Sequence, residues 1–323
     1  MNQLSIRICL CLLLSFYSSV LSAQTKKAPY PKLQVNDHAL TFIVMGDWGR
    51  YGEDHQKPVA VQMGKTASEA SVDFIISTGD NFYPRGVASE YDPAWKYSYE
   101  DIYTAFSLHW DWYPVLGNHD YGGNPDAEVA YSKISRRWRM PARYYAKKFP
   151  INGDTTQQVL IAFIDTNPLL PDFYGNSEYG PNVKSQDSTA QKIWLKKVLS
   201  DPSPNVKWKF VVGHHPMYTG SDKRREGYDT RAIRGSLKTL FEQTNVDAYL
   251  AGHDHSLQHI IQGNVHHFVS GAASEATQVS KLPQSKFAVS QYGFMVFSAT
   301  GTSLLVQTID YQGNVIYRTE LKK

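Results

Sequence analysis

Cysteine is nearly missing from this chain: of 323 residues only Cys9 and Cys11 carry a thiol, and both lie close to the first residue. If that segment is removed, disulfide frameworks, thiolate metal sites and cysteine nucleophiles are all excluded. No Asn-x-Ser/Thr acceptor occurs, which fits export from a bacterium better than a eukaryotic secretory route. Excess charge of one sign is also lacking. The formal charge of +3 falls to +2 once Arg7 is discounted, too little for a general polyanion binder, so no nucleic-acid partner is expected. Internal repeats and low-complexity tracts are absent. Residues 1–23 carry one charge, Arg7, an apolar run from Ile8 to Leu14 and an ending in Leu21-Ser22-Ala23. The run is short and broken by Ser15, Ser18 and Ser19, so it reads as a secretory signal cleaved after Ala23, with no membrane insertion afterwards. A secreted or periplasmic protein is therefore expected, with 24–323 as one domain.

Hydrophobic residues make up 42% of the chain, enough for a substantial core. After a polar stretch from Gln24 to His38, Ala39 to Met45 is apolar and β-branched, as a buried strand requires. Pro58 to Ala70 has helical spacing in Val59, Met63 and Ala67, and Val72 to Ser77 is again strand-like; together they predict a βαβ unit with parallel strands. Trp112–Leu116, Val159–Ile164, Trp208–Val212 and Ala248–Ala251 repeat the strand signal. Ser188–Leu199 is predicted helical, with Ser188 and Gln191 as a capping box and Pro202 beyond, and Leu237–Phe241 has helical spacing. Strands at short spacing from His267 onward predict a second, largely antiparallel sheet packed beside the first, with helices outside.

Five of the apolar runs end in Gly followed by a group able to bind metal: Asp47 in GDWG, Asp80 and Tyr83 in GDNFY, Asn118 in GNHD, His214 in GHHP, and His253 and His255 in GHDH. A sheet that presents loops at one edge gathers such residues around one site. A carboxylate at a strand end, Asp47 or Asp80, has sheet neighbours that supply more ligands. A bridging carboxylate holds two cations at once, which suits in-line displacement at phosphorus. Asn118 adds an amide oxygen and the histidines add imidazoles, a mixture for divalent transition metals. His253 and His255, two apart on a strand continuation, would point the same way and each meet a different cation. Taken singly, an Asp after a strand is usually a turn cap; five such turns in order are not explained that way.

In order and spacing these blocks resemble the calcineurin-like metallophosphoesterases. Glycine stands at position 49, where the general signature has histidine, and Tyr83 stands three residues after Asp80; that combination resembles the short, tartrate-resistant type of purple acid phosphatase. The resemblance implies an α/β fold, a four-layer α/β/β/α sandwich of two mixed sheets flanked by helices. It also implies a binuclear centre of Fe(III) plus a divalent metal, Fe, Zn or Mn. The ferric ligands would be Asp47, Tyr83, His255 and the bridging Asp80, and the divalent ligands Asp80, Asn118, His214 and His253. A trivalent ion favours an ionised phenolate, so Tyr83 points to Fe(III). The implied activity is acid hydrolysis of a small phosphate monoester by a metal-bound hydroxide, releasing inorganic phosphate. His119 would contact phosphate and protonate the leaving group, with Asp120 orienting its ring.

Lys223 occupies a place where purple acid phosphatases commonly have a second active-site histidine, and Lys223-Arg224-Arg225 is read as a solvated loop or a leaving-group contact. His215 falls beside the ligand column, and Trp138, Tyr144 and Tyr145 are read as packing. Alternatives are hydrolysis of phosphodiesters or nucleotides, and non-catalytic binding of iron or phosphate. A monomer is expected.

Overall fold

The computed structural model describes residues 29–323; the expected secretory segment, 1–23, lies outside them. The strands are β1 Leu40–Met45, β2 Phe74–Ser77, β3 Asp111–Pro114, β4 Tyr145–Ile151, β5 Asp154–Phe163, β6 Val206–Val212 and β7 Ala248–Ala251. They continue as β8 Leu257–Gln262, β9 Val265–Ser270, β10 Ser285–Val289, β11 Gly293–Ala299, β12 Ser303–Asp310 and β13 Val315–Lys322. The helices are α1 Gln56–Glu69, α2 Asn118–Tyr121, α3 Pro125–Tyr131, α4 Gly180–Val183, α5 Ser188–Leu199 and α6 Tyr228–Thr244.

Two mixed sheets form, one ordered β13-β12-β11-β1-β2-β3 and the other β10-β8-β9-β7-β6-β5-β4. In the first, β1, β2 and β3 are parallel and β11 joins β1 antiparallel, Phe42 opposite Phe297. In the second, β5, β6, β7 and β9 are parallel. Strands β1, β2 and β7 are buried at every residue, which is why they read as unbroken apolar runs rather than alternating ones. The edge strand β4 exposes Ala146, Lys147 and Lys148 between buried ends, and lysines there discourage pairing with another chain.

The expected division into an N-terminal and a C-terminal sheet is not what forms. Strands β11 to β13 extend the first sheet beyond β1, while β8, β9 and β10 complete the second. Local periodicity identifies strands but not partners, and β1 pairs with a segment some 250 residues away. Between the sheets an aromatic seam does the packing. Phe42 stacks on Phe74 and Phe297 and meets Phe210 at 6.2 Å, Phe74 stacks on Phe149 at 4.2 Å, and Phe268 meets Phe297 edge-on at 5.2 Å. Each such ring contributes about 2 to 3 kcal/mol by leaving water. α1 packs on the first sheet at β11, α5 on the second at β5, and α6 lies against α5 with Phe241 on Tyr249 of β7.

Helix α5 spans the predicted residues, but its cap is Asp187, whose carboxylate accepts from the backbone of Thr189 and Ala190. Gln191 instead turns inward and pairs both amide ends with the main chain of Asp165. Trp138 is wholly buried among Trp48, Phe82, Trp95 and Tyr99, Tyr145 stacks on Phe163, and Tyr144 leans on Trp194. All three are packing residues.

Candidate metal centre

Each of the seven expected donors follows the C-terminal end of a parallel strand: Asp47 after β1, Asp80 and Tyr83 after β2, Asn118 after β3, His214 after β6, His253 and His255 after β7. The ladders run on into these loops. Asp47 N–H bonds Gly79 O, Trp48 N–H bonds Asp80 O, and Gly252 N–H bonds His214 O. The glycine preceding each donor has a steric reason. A Cβ on Gly117 would stand 2.1 Å from Asp80 Oδ1, and one on Gly252 would stand 2.4 Å from Asp47 Oδ2. Asp47, Asp80 and His253 themselves sit at φ of 60°, 49° and 67°. A side chain tolerates that region only at a cost of order 1 kcal/mol, and such strain collects at functional sites.

One cluster gathers around the Tyr83 hydroxyl, which lies 3.1 Å from Asp80 Oδ2, 3.3 Å from Asp47 Oδ1 and 3.1 Å from His255 Nε2. The other gathers around His214 Nε2, which is 3.3 Å from Asp80 Oδ2, 3.3 Å from Asn118 Oδ1 and 3.2 Å from His253 Nδ1. Donors around one small cation with bonds of about 2.1 Å must stand about 3.0 to 3.4 Å apart, so both clusters have the right spacing. Asp80 Oδ2 belongs to both.

The ring orientations point the same way. His214 Nδ1 bonds the Thr78 carbonyl at 2.9 Å, His253 Nε2 lies 3.0 Å from Asp229, and His255 Nδ1 lies 2.9 Å from Glu275. The carbonyl behind His214 and the carboxylate behind His253 each hold a proton there, so the lone pair of the other nitrogen is turned into the cluster, while Glu275 stands beside His255 Nδ1 without a formed hydrogen bond. His253 is no strand continuation; its positive φ breaks the alternation, and the turn rather than the pleat sends it to His214 while His255 goes to Tyr83.

Buried together, these groups shift one another's protonation. Burial, and then the Asp80 and Asp47 carboxylates, push the Tyr83 phenol well above its ordinary 10. Burial opposes a proton on His214, yet Asp80 and Asp47 raise it to about 9. Burial likewise opposes the charge on Asp80, but His214, His119 and His253 together hold it well below the usual carboxylate range. Cations between these groups would take over the compensation that protons provide.

Two expectations about the GNHD turn part ways. The His119 ring leans on Tyr83 at 4.4 Å and its Nδ1 bonds the Pro84 carbonyl at 2.6 Å. Asp120 does not orient that ring. Its carboxylate is fully buried and accepts the backbone N–H groups of Gly117, Asn81 and Phe82 at 2.8 to 3.1 Å, tying two donor loops together. Residues 118–121 form a helical turn, where neighbouring side chains diverge by about 100°. Burial and the nearby Asp80 raise Asp120 to about 7, and burial beside Asp120 raises its neighbour Glu128 well above the usual range.

Three further groups were not singled out in the sequence. Asp229 and Glu275 stand behind the ligand histidines; Asp229 opens helix α6, so in sequence it looks like a cap. The Arg50 guanidinium lies 3.7 Å above the Tyr83 ring and pairs with Glu275 at 2.9 Å. His215, read in the sequence only as falling beside the ligand column, is wholly buried, and it offers a nitrogen within 4.8 Å of donor atoms of His214 and His253. Its Nδ1 is held by Thr166 Oγ1 at 2.8 Å.

Paired donor clusters at the C-terminal edges of two stacked sheets define a metal-dependent phosphoesterase, and residues 40–257 match the calcineurin-like phosphoesterase family. The chain is 34% identical to purple acid phosphatase 17 of Arabidopsis thaliana, over 88% of this chain and 84% of that one. It is 31% identical to human tartrate-resistant acid phosphatase type 5, over 88% and 91%. It belongs to the purple acid phosphatase family. Among solved structures it resembles GAP50, the anchor in the inner membrane complex of Plasmodium, with a TM-score of 0.74 and 26% identity over 88% and 89% of the two chains. Purple acid phosphatase PPD1 from yellow lupin seeds shares the fold, with a TM-score of 0.65 and 15% identity over 91% of this chain and 55% of that one.

Proposed function

We propose that this protein is an exported acid phosphatase that hydrolyses small phosphate monoesters to inorganic phosphate at a binuclear Fe(III) and divalent-metal centre. The observation that carries the reading is Asp80 Oδ2, shared by two donor clusters of cation spacing. Asp47, Tyr83, His255 and Asp80 would hold the ferric ion; Asp80, Asn118, His214 and His253 would hold Fe, Zn or Mn. When bound, the two cations supply an acidified water and neutralise charge on the phosphoryl oxygens.

The chain's own residues do the rest. His119 Nδ1 donates to the Pro84 carbonyl, and among the described residues no protein group is bonded to Nε2, which in the imidazolium form is left to give its proton to a phosphoryl or leaving oxygen. His119 N–H bonds Asp80 Oδ1 at 2.8 Å, so the acid is tied to the bridging carboxylate. Asp229 and Thr78 hold the His253 and His214 imidazoles, and Glu275 stands 2.9 Å from His255 Nδ1. Export rests on residues 1–23; among the described residues no helix is long and apolar enough to cross a membrane.

Metal analysis, a visible spectrum and an aryl-phosphate assay on the purified protein test this together. Two metals per chain, a phenolate-to-iron band that Tyr83→Phe abolishes, and turnover are expected. Metal binding without turnover would instead favour the non-catalytic reading, and faster cleavage of bis-aryl than mono-aryl phosphate would favour a diesterase.

A further inference from the structure

Beside the metal centre a cleft of about 590 Å³ opens between two loops, with Ser221, Asp222, Lys223 and Arg224 on one wall and Glu275, Thr277 and Gln278 on the other. His253, Asp254 and His255 form its floor. The walls are pinned together, because Ser280 N–H bonds Gly220 O at 2.9 Å and Thr277 N–H bonds His255 O at 2.7 Å. An ester held at the ligand histidines therefore has its leaving group beside a formed cleft, far larger than a phosphate ion.

The charges lining it are unequal in what they have left to offer. Arg224 is engaged by the His253 carbonyl and by Asp254, Arg225 by Asp222, and Glu275 by Arg50. Lys223 is exposed, and among the described residues no acidic partner faces it. Among the described residues the cleft thus has one uncommitted cation, and its anions are already answered. Ser221, Thr277 and Gln278 add hydroxyl and amide groups suited to a polar, hydroxylated body.

We propose that the preferred substrate is a phosphate monoester whose leaving group carries a second anionic group, phosphate or carboxylate, and that Lys223 selects it. The proposal rests on the phosphatase reading and adds the substrate class. A lysine acts here as a solvated point charge, so its effect falls on binding and weakens with salt.

The test compares kcat/KM for glucose 1,6-bisphosphate, 3-phosphoglycerate and glucose 6-phosphate. In Lys223→Ala, the preference for the bisphosphate over glucose 6-phosphate should fall about five-fold, mainly through KM, as expected for an exposed charge pair. Lys223→Arg should retain most of that preference, and 0.5 M salt should erode it in the parent protein. Lys133→Ala, an exposed lysine elsewhere, should leave it unchanged. If 3-phosphoglycerate follows the bisphosphate, charge alone is read; if it follows glucose 6-phosphate, the second phosphate is. An unchanged ratio in Lys223→Ala overturns the proposal while leaving the phosphatase reading intact. Failure of the parent protein to hydrolyse any monoester overturns both.

Discussion

Asp229 is the residue whose removal best separates metal binding from folding. Its Oδ2 stands 3.0 Å from His253 Nε2, and His253 is nine-tenths buried with Nδ1 turned to His214 at 3.2 Å. Burial, and then Arg224, depress the His253 pKa well below 6.5, so the ring is neutral and the proton on Nε2 is held by Asp229. In Asp229→Ala the ring loses that partner, its lone pair is no longer fixed on the cluster, and a buried N–H is left unmet. Losses of this kind lower metal affinity about 10- to 100-fold, or about 1.4 to 2.7 kcal/mol. Asp229 also accepts the Thr230 N–H at the start of α6, worth about 0.3 to 1 kcal/mol of stability. Competition against a graded series of chelators measures the first quantity, and melting of the metal-free protein the second. Asp229→Asn, which keeps an acceptor oxygen but no charge, should fall between. Affinity within two-fold of the parent in Asp229→Ala, with the fold intact, would show that the contact does not orient a ligand.

Asp120→Ala should destabilise the metal-free protein by about 3 to 5 kcal/mol, since three buried backbone N–H groups lose a shared acceptor. A melting shift no larger than that of an exposed Asp→Ala would refute the structural role. His119→Ala should cut turnover about 100-fold or more with both metals retained; metal loss measured by elemental analysis would reassign the residue. His259 and His267 are held near a pKa of about 3, chiefly by burial and then by His266. Because their folded pKa lies below the unfolded 6.5, their contribution is complete above pH 6.5 and lost as pH falls toward 3, by about 1.4 kcal/mol per unit per ring. Melting midpoints should therefore drop between pH 7 and 5, and His267→Phe should flatten that slope; equal slopes would remove His267 as the cause.

What could be read in the sequence was whatever local chemistry dictates. Strands β1, β2 and β7 showed because burial on both faces leaves unbroken apolar runs, and the donors showed because glycine must precede them where neighbouring loops touch. The partner of β1 did not show, since strand pairing across the whole chain leaves no periodic trace. Asp120 was misassigned because adjacency in sequence is divergence on a helical turn. Asp229 and Glu275 were invisible for a related reason: they meet their histidines across 24 and 20 positions, and nothing local marks the encounter.

The seam between β1 and β11 has a temporal consequence. The strand that delivers Asp47 is flanked on one side by β2 and on the other by a strand made some 250 residues later. Until β11 has left the ribosome, the first donor lacks half of its support, so the cage cannot be assembled piecemeal. Maturation is thus ordered by topology: β11 in place first, metal afterwards.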